Sequence, residues 1–175
     1  MENTLVPTLE TERLILRPLS LDDLDAVYKW ASDERVNKYM IYPLYKSKDD
    51  GRIWLETVNQ DGNKKDFGFV FKETGVLIGS GGIYYKPEQN VWSIGYNISY
   101  DYWNRGLVTE AMEKIISWAR ENFPIHEIAG TFAVDNNGSR RVMEKLGLTY
   151  AYDTEYSKLD DSATFKAKTY HIVFD

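Results

Sequence analysis

Cysteine is absent from the 175-residue sequence, and histidine occurs only twice. A chain without cysteine forms no disulfides and no thiolate metal sites and has no cysteine nucleophile, and no metal site of another kind is predicted. No apolar run approaches the roughly 20 residues of a membrane-spanning helix. The N-terminal stretch MENTLVPTLETERL is acidic and lacks the charged-then-apolar pattern of a signal peptide. The sequence therefore predicts a soluble cytoplasmic protein with no membrane partner.

Basic residues are fewer than acidic ones: 21 Lys and Arg against 27 Asp and Glu give a net charge of −6. A nucleic-acid-binding domain needs a basic surface, so no nucleic acid partner is expected. The negative charge suits a cationic partner such as an amine, although solubility alone explains a modest net charge more simply.

The chain contains no repeat, low-complexity tract or flexible linker, and its length suits a single domain spanning 1–175. Apolar alternation and short apolar runs predict strands at 12–19, 66–72, 76–85, 91–100, 127–134, 148–156 and 168–174. Apolar residues at 3.6 spacing and capping signals predict helices at 20–31, 48–60, 107–122 and 136–147. This order predicts a mixed α/β (α+β) fold with a largely antiparallel central sheet flanked by about four helices. Neighbouring strands can run parallel within the strand-helix-strand unit at 91–134.

The stretch YWNRGLVTEAM, residues 102–112, changes into a helix at Gly106. The first amides of a helix have no acceptor inside it, and the helix dipole makes that end positive. Amides at about 105 to 109, with the Thr109 hydroxyl, can therefore bind a pyrophosphate without a lysine. A capped helix with a tight entry turn is the simpler interpretation of this segment taken alone.

Three segments, in the right order and spacing, resemble the GNAT superfamily of N-acetyltransferases and, within it, the RimJ/RimL-like branch that acetylates N-terminal amines. They are ETERLILRPLSLDDLDAVYKWASDERVNKYM, IGYNISYDYWNRGLVTEAM and VDNNGSRRVMEKLGL, and they run nearly from end to end. The resemblance implies a GNAT-type fold and an acyltransferase that moves an acetyl group from acetyl-CoA to a primary amine. The acceptor is a protein or peptide N-terminus or a small amine. Direct attack in a ternary complex needs no nucleophilic residue, and orientation supplies much of the rate.

The resemblance also assigns residues to the cofactor. The superfamily loop, Gln/Arg-x-x-Gly-x-Gly/Ala, falls on Trp103, Asn104, Arg105, Gly106, Leu107 and Val108, followed by Thr109. Gly106 fits the pattern fully and Trp103 matches the branch, whereas Val108 stands where glycine or alanine is usual. In relatives the preceding strand holds the pantetheine arm and the acetyl carbonyl through backbone groups, a role that maps onto Asn97 and Ile98. An amide directed at the carbonyl would stabilise the developing oxyanion, while a buried strand residue is the structural alternative for Ile98.

Asn136 and Ser139 form the second part of the implied site. In RimJ/RimL-like proteins this asparagine contacts the cofactor, and the serine lies near the thioester sulfur as a candidate general acid that donates a proton to the leaving thiolate. Both residue types are also good helix caps, and capping is the simpler interpretation of either taken alone. Met143 takes the place where many GNAT enzymes have a tyrosine as the acid, so a tyrosine mechanism at that place is unsupported.

The sequence identifies no general base. An ammonium with a pKa of about 10 has to lose a proton before it attacks, and relatives often carry a glutamate at the position of Ser93. Residues 91–99 include no carboxylate, which leaves a water chain ending at a distant Glu or Tyr. His126 and His171 fall at no motif position and are expected to be structural.

The missing base and Val108 keep a second function class open, a non-catalytic CoA-binding sensor of the same fold. A dinucleotide-binding fold is disfavoured because the Gly-x-Gly-x-x-Gly signature and its downstream acid are absent. Acceptor specificity is expected in 35–60 and 150–165, whose tyrosines can line the acceptor slot: Tyr39, Tyr42, Tyr45 and Tyr156.

The basic residues of the second cofactor segment have two interpretations. Arg140, Arg141 and Lys145 either reach the 3′-phosphate of CoA or form a solvated helix face. The oligomeric state stays open, with a homodimer as one option.

Overall fold

Apolar strands assemble into one eight-stranded sheet in the computed structural model, which describes residues 5–175. The strands are Leu9–Glu10 (β1), Leu14–Arg17 (β2), Lys64–Phe71 (β3), Val76–Lys86 (β4), Val91–Ile98 (β5), Glu127–Ala133 (β6), Thr149–Ser157 (β7) and Thr164–Val173 (β8). Their order across the sheet is β1-β2-β3-β4-β5-β6-β8-β7, and every neighbouring pair is antiparallel except β5 and β6. The mixed, largely antiparallel sheet predicted from the sequence is confirmed.

Helices occupy the connections. They are Leu24–Ala31 (α1), Glu34–Asn37 (α2), Lys48–Thr57 (α3), Leu107–Asn122 (α4) and Asn137–Lys145 (α5). The prediction of 107–122 is confirmed residue for residue, because Gly106 opens that helix and its apolar stripe is complete. The sequence missed β1 and α2, since two and four residues are too few to show a periodic pattern. A 3₁₀ turn over Leu21–Asp23 precedes α1, and the Asp23 carboxylate accepts the Ser20 amide at 2.9 Å, as the predicted cap requires.

The two faces of the sheet carry separate hydrophobic cores. Helix α4 buries Met112 and Ile115 completely against one face, where they join Phe67 and Phe69 of β3 in the main core. Helices α1 and α3 cover the other face of β2, β3 and β4, and Trp30 is a buried member of this smaller core. The one-sided stripe of α4 thus fixes which face of the sheet it covers.

Strands β5 and β6 separate soon after they meet. They pair in parallel at two positions, Trp92 with Ile128 and Ser93 with Ala129. On its other side β5 stays paired with β4 as far as Ile98. The second half of β5 therefore has a partner strand on one edge and a gap on the other.

The N-terminus of α4 is tied to the start of the chain by one carboxylate. Glu110, in the first turn of α4, accepts the Thr11 hydroxyl at 2.6 Å, and it accepts the Arg13 amide at 3.0 Å and the Arg13 Nε at 2.9 Å. The Arg13 guanidinium also donates to the Arg105 carbonyl at 2.9 Å. Burial alone would raise the pKa of Glu110, but these hydrogen bonds outweigh it and lower that pKa below the ordinary 4.5.

Replacing this carboxylate should cost stability in a pH-dependent way. We expect Glu110→Gln to lower the free energy of unfolding by about 1–3 kcal/mol at pH 7, because charged hydrogen bonds are lost. A folded pKa below the unfolded one means that the carboxylate stabilises fully above its unfolded pKa and ceases to stabilise as the pH falls through the folded pKa. The difference between wild type and variant should therefore shrink on acidification. Urea unfolding from pH 7 down to pH 3 measures it.

The matched control is Glu113→Gln, which changes an exposed carboxylate on the same helix. A surface change of this kind should stay within about 0.5 kcal/mol at every pH. Equal losses in the two variants at pH 7 would contradict the assigned role of Glu110.

Candidate active site

The turn before α4 has the conformation that its glycine permits. Gly106 has φ +74° and is the N-cap of α4, and Asn104 also has positive φ, at +59°. The Glu110 amide donates to the Gly106 carbonyl at 3.1 Å, so the amides of residues 107–109 precede the first hydrogen bond inside the helix. Thr11 and Arg13 hold the Glu110 carboxylate, so this carboxylate does not fill the positive end of α4. Residues 104–109 therefore remain available to a ligand at that end. The geometry is that of an anion site at a helix N-terminus.

Backbone N–H and C=O groups of β5 face the gap, and one hydrogen bond at the end of the strand shows which residues they belong to. The Ser99 amide donates to the Ile78 carbonyl of β4 at 2.7 Å. Because successive residues of a strand direct these groups to opposite sides, the groups of Ile98 and Tyr96 face the gap and those of Asn97 face β4. The backbone role predicted for Asn97 and Ile98 therefore suits Ile98 but not Asn97, whose main chain pairs within the sheet. The Trp103 indole donates to the Ile98 carbonyl at 2.9 Å, which leaves the Ile98 amide as a donor into the gap.

Helix α5 begins on the other side of the gap. The Asn136 side chain accepts the Ser139 amide at 3.2 Å, so Asn136 is an N-cap, as one of the two interpretations of its motif predicts. The Ser139 hydroxyl does not cap the helix. Instead it lies 2.8 Å from the Tyr96 hydroxyl, and either atom can be the donor. Burial raises the pKa of Tyr96, so that its hydroxyl stays protonated and can orient Ser139.

A cavity of about 1360 Å³ joins these features. Every residue that the sequence assigned to the cofactor lines it: Asn97, Ile98, Trp103, Asn104, Arg105, Gly106, Leu107, Val108, Thr109, Asn136 and Ser139. Val108 also packs against the main core, so part of its side chain is turned away from the cavity. The volume exceeds the 300–1000 Å³ of a typical small-molecule pocket and leaves room for two ligands at once.

The basic residues of α5 divide between the cavity and the surface. Arg141 and Lys145 line the cavity, whereas Arg140 lies 4.0 Å from Glu144 in an ion pair along the helix. His126 is exposed, while His171 lines the cavity and pairs with Glu127 at 2.7 Å. From the sequence, both histidines are expected to be structural. His126 lies away from the cavity, whereas His171 lines it.

The segment after α2 forms the opposite wall of the cavity. Tyr39 and Tyr156 line it, and the Tyr156 hydroxyl donates to the Tyr39 carbonyl at 2.6 Å. The Tyr42 hydroxyl donates to the Asn97 side chain at 3.3 Å, which places Tyr42 beside the end of β5. Tyr45 packs edge-on against Tyr42 and next to the smaller core, so it supports the wall from behind.

A buried ammonium holds this wall to the β7–β8 hairpin. Lys158, only 7% exposed, donates from Nζ to the Asn37 carbonyl at 2.8 Å, the Asn37 Oδ1 at 2.9 Å and the Met40 carbonyl at 2.7 Å. Desolvation lowers the pKa of Lys158. No local pattern predicts this contact, because its two ends lie more than a hundred residues apart.

Reasoning from the sequence also missed a carboxylate next to the cavity. The Tyr84 hydroxyl, on β4, donates to Asp66 Oδ1, on β3, at 2.6 Å. Asp66 is 8% exposed, and burial raises its pKa to about 6 against the opposing effect of the Tyr84 hydrogen bond. Tyr84 lines the large cavity. The alternating apolar pattern marks both positions as strand, and only the pairing of β3 with β4 brings their side chains together.

Two further classes of site are absent from residues 5–175. No group of three or more His, Cys, Asp or Glu side chains could hold a metal ion within that range. None of the helices described there is long and apolar enough to cross a membrane.

Comparison with known proteins places the chain in a family. The family model for the acetyltransferase (GNAT) domain matches residues 13–149. An uncharacterised N-acetyltransferase of Bacillus licheniformis, p20, is 28% identical over 167 residues, which cover 90% of this chain and 94% of that protein.

Two solved structures share the fold. RimL, the ribosomal L7/L12 alpha-N-protein acetyltransferase in complex with coenzyme A, superposes with a TM-score of 0.84 at 15% identity, over 97% of this chain and 99% of that one. The microcin C7 self-immunity acetyltransferase MccE, in complex with acetyl-CoA and AMP, gives 0.81 at 18% identity and 94% of each chain. With the family model matching most of its length, the chain belongs to the GNAT family of acetyltransferases and is an acetyl-CoA-dependent N-acetyltransferase.

Proposed function

We propose that the protein transfers the acetyl group of acetyl-CoA to the α-amine of a peptide or protein N-terminus, by direct attack of the amine in a ternary complex. The observation that carries this proposal is the single cavity that connects the amides at the start of α4 with the gap beside β5 and with the tyrosine-lined wall. The resemblance to the RimJ/RimL-like branch favours an N-terminal amine over a small amine as the acceptor.

The chain's own groups suit each part of acetyl-CoA. The pyrophosphate would accept hydrogen bonds from the amides of residues 105–109, and Arg141 and Lys145 would face the 3′-phosphate. The pantetheine arm would follow the open edge of β5, along the backbone groups of Tyr96 and Ile98. The Ile98 amide would then donate to the thioester carbonyl, where negative charge develops as the amine attacks.

The leaving group would depart next to α5. The Tyr96 hydroxyl lies 2.8 Å from Ser139 Oγ and 3.2 Å from the Ser139 carbonyl oxygen. When Tyr96 donates to Oγ, the nearer of the two, the Ser139 hydroxyl hydrogen is free to point into the cavity, towards the sulfur. A hydroxyl in that position can protonate the thiolate as the carbon–sulfur bond breaks. Because the amine attacks the thioester itself, orientation of the two substrates supplies much of the rate.

An acceptor screen tests the proposed reaction. We expect single-turnover reactions with acetyl-CoA to add one acetyl mass to peptides with free N-termini and none to the same peptides blocked at the N-terminus, with polyamines and free amino acids as the small-amine arm. Faster acetylation of the small amines would overturn the acceptor assignment. Saturable CoA binding with no transfer to any amine would support the non-catalytic sensor instead.

Gly106 offers a test of the pyrophosphate site. Because Gly106→Ala puts a Cβ on a residue at φ +74°, we expect a loss of about 1–2 kcal/mol in unfolding free energy. We also expect CoA binding to weaken by about tenfold or more, since the backbone moves where the diphosphate lies. In the wild type, acetyl-CoA at 100 times its Kd should stabilise the fold by about 2.7 kcal/mol. Calorimetric titration and urea unfolding measure both quantities.

Gly75→Ala is the matched control. Gly75 has φ +70°, lies in the β3–β4 turn away from the cavity, and has no atom within 4 Å of an added Cβ, while Gly106 would meet only the Arg13 guanidinium at 3.6 Å. Both variants carry the same backbone strain, so they should lose similar stability, and only Gly106→Ala should lose CoA affinity. The same Kd in both would show that the diphosphate lies elsewhere.

Ser139 is tested by separating turnover from binding. We expect Ser139→Ala to lower kcat by about 10- to 1000-fold, the size of a lost acid–base contribution, with little change in the Kd for CoA. Tyr96→Phe should reproduce part of this loss, and the double variant should be less impaired than the product of the two, because the hydroxyls act together. Ser117→Ala, an exposed change on α4, is the control. Wild-type turnover in Ser139→Ala would leave the serine without a catalytic part.

A further inference from the structure

A tyrosine lies flat on the sheet at the floor of the large cavity because two glycines leave room for it. A Cβ added to Gly95 of β5 would lie 3.2 Å from Tyr84 Cε2 and 3.8 Å from the Tyr84 hydroxyl. Gly82 pairs with both Gly95 and Asp66, so no side chain stands between the ring and the carboxylate. The ring of Tyr84 therefore spans β4 and ends at Asp66 Oδ1, 2.6 Å away.

Tyr84 and Asp66 line different cavities. Tyr84 lines the large cavity together with Ser93 and Asn97. Asp66 lines a second cavity of about 320 Å³ between α3 and β3, whose other lining residues include Trp54, Val58, Gln60, Asp61 and Lys64. The pair thus connects the space proposed for the substrates with a separate space on the other side of β4.

The hydroxyl also lies at a useful distance from the proposed reaction centre. Gly95 precedes Asn97 by two residues, which at about 3.3 Å per residue separates them by about 7 Å along β5. A nitrogen that attacks a carbonyl held at Ile98 would approach along this stretch of β5. There it would come within hydrogen-bond reach of the Tyr84 hydroxyl, directly or through one water.

We propose that the acceptor ammonium loses its proton through Tyr84 to Asp66, which releases it into the second cavity. This inference rests on the proposed function. Tyr84 is the catalytic residue, since it contacts the amine, and Asp66 acts through it as a positioning residue and proton acceptor.

The proton balance closes without another reactant. The Tyr84 oxygen takes a proton from the ammonium as its own proton passes to the Asp66 carboxylate, so the phenol stays neutral throughout. The free amine then forms the carbon–nitrogen bond, the carbon–sulfur bond breaks, and the second nitrogen proton ends on the CoA thiol. Asp66 returns its proton to solvent, and the net products are the amide, CoA and one proton.

The charges around the pair agree with this assignment. Burial raises the pKa of Asp66 to about 6, close to the range in which a base works best near neutral pH. Burial also raises the pKa of Tyr84, which keeps its hydroxyl as a donor to Asp66. The charged groups that face Asp66 from β3 and the preceding loop are Lys64 and Asp61, which pair with each other at 3.9 Å, and the lining residues from α3 carry no charge.

The test compares pH profiles of kcat/KM for one peptide acceptor. In the wild type, a protonated Asp66 cannot accept the proton, so the rate should fall as the pH drops through about 6. Asp66→Asn should lower kcat/KM by about 100-fold and remove the inflection at about pH 6, so that only the ionisation of the peptide α-amine, at about pH 8, still shapes the profile. Tyr84→Phe should cause a loss of similar size. Asp61→Asn, the same change on the wall of the second cavity, should keep both the rate and the inflection at about pH 6. An inflection at about pH 6 that survives in Asp66→Asn overturns the relay.

Among the other titratable groups that line the large cavity, His171 and Glu155 serve as comparators. If His171→Asn or Glu155→Gln removes the inflection at about pH 6 while Asp66→Asn retains it, the proton leaves by that group and the proposal is wrong. Unfolding curves and the Kd for CoA show whether each variant is folded. If the wild type acetylates no amine at all, the proposed function fails, and the relay is then judged by the next measurement alone.

A measurement on the free protein, without substrates, tests whether Asp66 and Tyr84 are coupled. The ¹³C shift of the Asp66 carboxyl should titrate near pH 6, and Tyr84→Phe should raise that pKa, because the hydrogen bond that stabilises the carboxylate is lost. An Asp66 titration that is unaffected by Tyr84→Phe would show that the two groups are not coupled and would overturn the relay independently of turnover.

Discussion

The early separation of β5 from β6 is the constraint on which the site depends. A parallel pair that continued past Ser93 would hydrogen-bond the backbone groups of Tyr96 and Ile98 within the sheet. Because the strands part, those groups face a gap and become available to a ligand. On its other edge β5 stays paired with β4 as far as Ile98. Buried backbone groups need partners, and here Trp103 supplies one of them, at the Ile98 carbonyl. The proposed binding surface along β5 is thus made of main chain and needs no charged side chain there.

The anion site at the start of α4 is fixed by residues far away in sequence. Glu110 would place a negative charge next to the proposed diphosphate if its carboxylate were free. Instead Thr11 and Arg13 hold it, and Arg13 also reaches the Arg105 carbonyl in the turn. The same contacts satisfy the carboxylate near a positive helix end and anchor β1 and β2 to the loop. Stability of the fold and shape of the site therefore depend on one cluster.

The wall of the cavity opposite the sheet is built by long-range contacts between the segment that follows α2 and the β7–β8 hairpin. Lys158 and Tyr156 of the β7–β8 region hold the chain at Asn37 to Met40, and Tyr42 continues the wall to Asn97. Lys158 bonds to carbonyl and amide oxygens rather than to a carboxylate, so these dipoles and the nearby charge of Asp160 stabilise its ammonium. These contacts hold the wall next to the end of β5, where Tyr42 meets Asn97.

The sequence by itself determined the order of the strands and helices other than β1 and α2, the exact extent of α4, and eleven residues that line the large cavity, because local periodicity and a glycine at a helix start are encoded within about twenty residues. Only the tertiary structure decided which carboxylate and hydroxyl side chains form hydrogen bonds with one another. Asp66 and Tyr84 become partners through the register of β3 on β4, and Tyr96 reaches Ser139 across the gap. Their positions are ordinary strand positions in the sequence. Pairing registers and sheet separation depend on the packing of the whole chain, so no local pattern could have shown them.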